Sequence, residues 1–317
     1  MSLLLPIGLF ILYGGLFSWY LVKGKHFNGL GLPRIYWMMI WVLKVTAACL
    51  YGWWYAKLPG DQADTWWFYR EALQYREMLM QTPLRFWSEL FESDPNNPGG
   101  FFHHRGFWND LRGNVFIRFF SILLVLSAGN YYVASLFFAM IGFWASHLFC
   151  KSFVQLNSRP IGWIEALFLT SLPSVLFWTS GIHRDAILML CLSGICWQMV
   201  RQIQSPKWIN SLYVLLLLLP ILIFRSYWAL ILFPTLLAWF LTQPYKKSWT
   251  LPALLVANGA ALALFLSNQA LLEQLVENRQ AFLNLEGKSL LRNLTLLPNP
   301  LSFLQQVPQA LTNFYWM

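Results

Sequence analysis

Runs of apolar residues long enough to cross a bilayer constrain this chain more than any other feature. "LLLPIGLFILYGGLFSWYLV" (Leu3–Val22) is the first, and comparable runs follow at Ile35–Ala56, Tyr131–Cys150, Ile161–Trp178, Ala186–Val200, Ile209–Phe224, Tyr227–Leu241 and Leu251–Leu266. A membrane-crossing helix needs about 20 predominantly apolar residues. The 317 residues are 57% hydrophobic and only 11% charged, against about 25% charged in a soluble domain. The pattern predicts an all-α, polytopic membrane protein with about eight spans and further helices along the outer surface. It forms one integral domain: spans within 1–56, an outer loop over 57–130, a six-span bundle over 131–266 and an outer amphipathic tail over 267–317. The 18 tryptophans fit the same class, because Trp collects at membrane–water interfaces.

Charge sets the expected orientation. The apolar piece Val115–Leu126 has only a dozen residues, about 18 Å at 1.5 Å per residue, and it carries Arg118; it is expected to dip or lie flat without crossing. With that segment out of the count, Lys23, Lys25, Arg34, Lys151, Arg159, Arg201, Lys207, Lys246 and Lys247 all fall on one side, as the positive-inside rule requires. The N-terminus then lies outside, and the opposite side collects the polar motifs. The +9 net charge is accounted for by these loops and by anionic lipid, without nucleic acid. Leu3–Val22 has no basic n-region, and "VKGKHF" after it offers no small-residue cleavage site, so it reads as a membrane helix. Cys49, Cys150, Cys191 and Cys196 sit in or beside apolar segments and read as small buried hydrophobes.

The outer side holds the candidate chemistry. In "KLPGDQADTWWFYREAL", Asp61 and Asp64 precede a helix-like stretch in which Asp64, Phe68 and Glu71 share a face, as do Trp67, Glu71 and Gln74. Either aspartate alone is equally well an N-cap; two carboxylates beside Trp66–Trp67 at a membrane mouth suit a polar substrate arriving from lipid. "SDPNNPGG" breaks the chain, and "FFHHRGFW" then offers His103, His104 and Arg105, a solvated loop as readily as a site. "SGIHRDA" puts His183, Arg184 and Asp185 at the start of a descending helix. Asp185 suits the positive helix end, whereas Arg184 opposes it, so Arg184 is either an interfacial snorkeller or an anion ligand. Arg225, beside Tyr227 and Trp228, is a phosphate contact or an interfacial anchor. Lys44 lies mid-span and needs a partner or a cavity; Glu165 is the expected partner.

The order of parts resembles a known family. "GDQAD", "SAGNYYVASLFFAMIGFWASHLFCKSF", "PSVLFWTSGIHRDAI", "FRSYWAL" and "VPQAL" are similar in type and order to segments of the multi-spanning GT-C glycosyltransferases, especially bacterial relatives of the aminoarabinose and mannosyl transferases. The resemblance covers about Lys44 to Leu266. It implies a polyprenyl-phosphate-linked sugar donor and a glycan, lipid or protein acceptor at the outer face of a bacterial inner membrane. Carried over, Asp61 or Asp64 is the general base. Arg184, Arg225 and His183, with Arg105 or the His103–His104 pair, neutralise the phosphate; Asp185, Glu71 and Trp67 contact or support the substrate. A divalent cation, Mg2+ or Mn2+, is permitted by the acidic first loop but not required. This chain departs from the pattern in one additional leading span, a smaller span count and no large C-terminal soluble domain, so acceptor recognition falls to a partner subunit. Three other readings stand beside it: a polysaccharide polymerase or ligase, a non-catalytic subunit of an export complex, and a transporter. The last lacks the paired half-helices or inverted repeats expected of it.

Overall fold

The computed structural model describes residues 4–25, 27, 29–57, 64–91, 105–242, 250–284 and 296–316. It is 87% helical and has no strands among the described residues. Among the described residues four helices are long and apolar enough to cross a membrane: α1 (Leu4–Lys23), α2 (Arg34–Tyr55), α6 (Tyr131–Asn157) and α9 (Arg184–Gln204). On α1, Leu4 and Ile11 are 78% and 68% exposed. Apolar side chains so exposed on helices so long belong to a membrane protein. These four stand against the eight spans expected from the sequence. α10 (Trp208–Phe224) and α11 (Ser226–Thr242) are apolar but shorter, at 17 residues each. α12 (Thr250–Ser267) and α13 (Gln269–Asn284) meet at a 75° bend and give a fifth candidate if they act as one broken span.

The chain divides into two compact units, residues 1–226 and 227–317. In the first, α6 is the axis. It packs against α9, α2, α8 (Pro173–Ser180) and α1. Its N-terminus is fixed by Asn130, whose side chain accepts from the Val133 amide at 3.1 Å, and Ser158 ends it in the left-handed conformation at φ 52°. Trp37, Trp41, Phe27 and Phe143 interlock between α2, α6 and the α1–α2 connection. Gly142 lets α8 come unusually close to α6: a Cβ there would lie 2.1 Å from the Thr179 carbonyl oxygen. The second unit holds α11, α12, α13 and α14 (Pro300–Trp316). Within it, Thr235 donates to Asn258 at 3.0 Å across α11 and α12, and the tail is helical with Pro308 inside α14.

Three expectations change. The piece predicted as Val115–Leu126 belongs to α5 (Arg105–Leu126), 22 residues beginning in polar sequence. At 1.5 Å per residue it is about 33 Å long, so shortness does not keep it from crossing; it is not among the four candidate spans. It packs chiefly along α3 (Asp64–Gln81), and the buried Arg118 ties it to α4 (Pro83–Ser88), donating from Nε to the Phe86 carbonyl at 2.7 Å with its guanidinium over the Tyr75 ring. The expected span Ile161–Trp178 is two short helices, α7 (Trp163–Ser171) and α8, divided at Leu172. Pro173 lacks an amide hydrogen and forces its predecessor to extended geometry; Leu172 has ψ 130°.

Lys44 and Glu165 do not pair. Lys44 is fully buried and its Nζ donates to Thr179 Oγ1 at 2.9 Å, and Thr179 donates on to the Val175 carbonyl. Glu165 instead meets Arg159 and accepts from the Gly162 amide at 2.9 Å. The break at Leu172 explains the change. α8 faces Lys44, whereas Glu165 sits in the first turn of α7 and reaches back to its own helix start. All four cysteines are free. Gly142→Ala is expected to destabilise the protein by about 1–3 kcal/mol through overpacking at the α6–α8 contact, read as a lower unfolding midpoint in detergent.

Candidate functional site

α9 begins at Arg184, after the three bend residues 181–183 that follow α8. His183 stands at the N-cap with its backbone extended, and its Nδ1 accepts from the Asp185 amide at 3.3 Å. The same Nδ1 lies 3.1 Å from Asp185 Oδ2. Nδ1 accepts only when unprotonated and donates only when protonated, so the imidazole serves the amide or the carboxylate, not both. The Asp185 carboxylate also faces Arg225, which caps the C-terminus of α10, with Nη2 3.6 Å from Oδ1. That separation makes an ion pair without a hydrogen bond.

Arg184 is held differently. Its guanidinium lies 4.7 Å from the centre of the Phe68 ring and 5.9 Å from that of Phe116, and the two rings meet edge to face at 4.9 Å. Phe68 comes from α3 and Phe116 from α5, so the α3–α5 pair forms an aromatic bed under one cation. Among the described residues Arg184 makes no hydrogen bond or ion pair of its own. A guanidinium carries five donors in a plane; with its face on a ring, its edge is left for a ligand.

The carboxylate of Asp64 belongs to the same end of the molecule. Asp64 opens α3 and is exposed; it caps no amide of that helix among the described residues. It acts electrostatically on Arg184, as do Asp185, Arg225 and Arg112. It also acts on Tyr55 and, together with Asp185, on Tyr51. The site therefore gathers two carboxylates, three guanidiniums, an imidazole and two phenols from α2, α3, α5, α9 and the end of α10. Three like-charged guanidiniums around two carboxylates raise the positive potential where Arg184 points, which favours an anion. Where α3 meets the start of α6, burial raises the Tyr69 phenol above its ordinary value, partly offset by Arg76, and Tyr69 donates to the Gly129 carbonyl at 2.7 Å.

Of the residues expected from the sequence, Asp64, His183, Arg184, Asp185 and Arg225 come together. Glu71 and Trp67 lie further along α3, Trp67 exposed with its ring against Phe68. Asp61, His103 and His104 lie outside the described residues; Arg105 opens α5, and its side chain is likewise outside them. Among the described residues no group of three or more His, Cys, Asp or Glu is placed to hold a metal, so the divalent cation has no ligand set there. Arg112, Phe116, Tyr51 and Tyr55 are additions from the structure, and Phe68, placed on the Asp64 face by its spacing, becomes a seat for Arg184. Arg112 and Phe116 share a helix face at i, i+4, a signal hidden when the helix is started at Val115. Tyr51 and Tyr55 show the same spacing at the end of an apolar run, which is visible in the sequence.

No protein family, curated protein or solved structure matches the chain. The geometry supplies a checkable coupling: Phe68→Leu is expected to cost about 0.5–2 kcal/mol more in the presence of Arg184 than in an Arg184→Met background, the worth of a partly desolvated cation–ring contact. A double-mutant cycle on unfolding free energies in detergent measures it.

Proposed function

We propose that this protein is a membrane glycosyltransferase that takes a sugar from a polyprenyl-phosphate-linked donor. The observation that carries the reading is an aromatic-backed Arg184 with its donors open, in the electrostatic field of the Asp64 carboxylate, at one end of helices long and apolar enough to cross a membrane. Sugar transfer from a lipid phosphate needs those two groups. The carboxylate removes the proton of an acceptor hydroxyl as its oxygen bonds to C1 of the sugar. The bond from C1 to the phosphate oxygen breaks, its electron pair stays on that oxygen, and Arg184 stabilises the developing charge with help from Arg225 and Arg112. With cations holding the leaving phosphate, no general acid is needed.

Two further features support the reading. An apolar groove of about 530 Å3, lined by Val45, Thr46, Cys49, Leu50, Trp53 and Tyr132, runs along α2, and Lys57 lies over the Trp53 ring at 3.5 Å. A hydrocarbon chain with an anionic head suits such a groove. In this reading about eight segments cross in a GT-C-like arrangement, α3 and α5 rest at the outer face, and a glycan, lipid or protein acceptor approaches from there. The membrane is the bacterial inner membrane, and a partner subunit completes acceptor recognition.

The test uses the full-length protein in nanodiscs with geranylgeranyl phosphate as the binding probe and polyprenyl-phosphate-linked hexoses and pentoses as donors. Arg184→Lys is expected to weaken probe binding about tenfold, because a point charge cannot replace a planar fork set on a ring. Asp64→Asn is expected to lower transfer at least ~100-fold without weakening binding. Binding indifferent to Arg184 and transfer indifferent to Asp64 would overturn the proposal and favour a non-catalytic subunit.

A further inference from the structure

A buried threonine joins the two halves of the site. Thr65 follows Asp64 in α3 and is 1% exposed. Its Oγ1 lies 2.7 Å from the Tyr131 hydroxyl and 3.2 Å from the Ile182 carbonyl oxygen. Proton counting fixes the direction. A carbonyl only accepts and a threonine hydroxyl has one hydrogen, so Thr65 donates to Ile182 and accepts from Tyr131. Ile182 directly precedes His183 and Arg184. One hydroxyl therefore connects the backbone beside the acid to the backbone beside the cation, each one or two residues away.

The far end of this link is anchored. The Tyr131 ring stacks on Trp66 at 4.2 Å and 16°. It also presses on Gly52 of α2, where a Cβ would come within 2.4 Å of the ring. Trp66 donates from Nε1 to the Gly52 carbonyl at 3.1 Å. α2, α3 and α6 thus hold Tyr131, Tyr131 orients Thr65, and Thr65 holds the turn before α9. Few residues separate the link from either charged group, and consecutive Cα atoms are about 3.8 Å apart. Its geometry is passed to them with little slack.

We propose that Thr65 is a positioning residue whose hydroxyl sets the separation of the Asp64 carboxylate from the anion held by Arg184. This rests on the reading of Arg184 as a phosphate ligand. Asp64 repels a phosphate bound beside it, so Asp64→Asn tightens binding, and the size of that gain reports the separation.

The experiment is a cycle of geranylgeranyl phosphate affinities measured on the full chain in nanodiscs. With Thr65 present, Asp64→Asn is expected to tighten binding about three- to tenfold. In a Thr65→Val background the gain is expected to fall below about twofold, and Thr65→Ser to restore it. A threonine that only fills space lowers the unfolding midpoint but leaves the Asp64 gain unchanged in Thr65→Val, and that result would overturn the proposal. If Thr65→Val does not fold, Thr65→Ala takes its place. It removes the hydroxyl that donates to Ile182 without adding a methyl beside the Tyr131 hydroxyl, and an undiminished Asp64 gain in that background is equally decisive against the proposal. Wild-type binding that ignores Arg184→Lys overturns the phosphate reading and this inference together. Arg184-dependent binding with an unaltered Asp64 gain overturns this inference alone.

Discussion

A guanidinium at the first residue of a helix opposes the helix dipole, and at the end of a membrane helix it also loses part of its water. Much of the first unit can be understood as the answer to that problem at Arg184. Two aromatic rings lie under it, Asp64 and Asp185 act on it electrostatically, and the turn that carries it is hydrogen-bonded to α3. Phe68 comes from one amphipathic helix and Phe116 from another, so α3 and α5 must pack together before the cation has a seat. The polar helices between α2 and α6 are therefore part of the site's construction.

Two cations on the candidate spans, Lys44 and Arg184, are treated in opposite ways. Lys44 is fully enclosed and its contact is a threonine hydroxyl. Arg184 is only partly enclosed, and the edge of its guanidinium is uncommitted among the described residues. A sealed cation bonded to a side chain on the neighbouring helix ties helices together. A half-covered one with spare donors is suited to meeting something that comes and goes. That contrast separates a structural lysine from a binding arginine without appeal to relatives.

Much of this was legible in the sequence, because its causes are local. Apolar run length gave the helical membrane class, and "SGIHRDA" placed ionisable groups at the top of α9. Asp64 was legible as a carboxylate opening a helix. Other features depend on contacts between distant segments. Nothing in "IEAL" says that Glu165 turns back to Arg159 and Gly162, away from Lys44. Arg112 stayed hidden because polar "RGFWNDLRGN" does not announce a helix, although α5 runs through it. Thr65, a small residue between an aspartate and two tryptophans, gains its role only when Tyr131 and Ile182 arrive from more than 60 positions away.

The interruption at Leu172–Pro173 has a mechanical consequence. α7 and α8 share one peptide link in place of a continuous hydrogen-bond ladder, so bending or torque applied near Arg159 and Glu165 is absorbed at the joint. α8 takes its alignment from its lateral seats, the Lys44–Thr179 bond on α2 and the close approach to Gly142 on α6. The turn leading into α9 is thereby insulated from disturbances at the opposite end, and its registry belongs to the helices beside it.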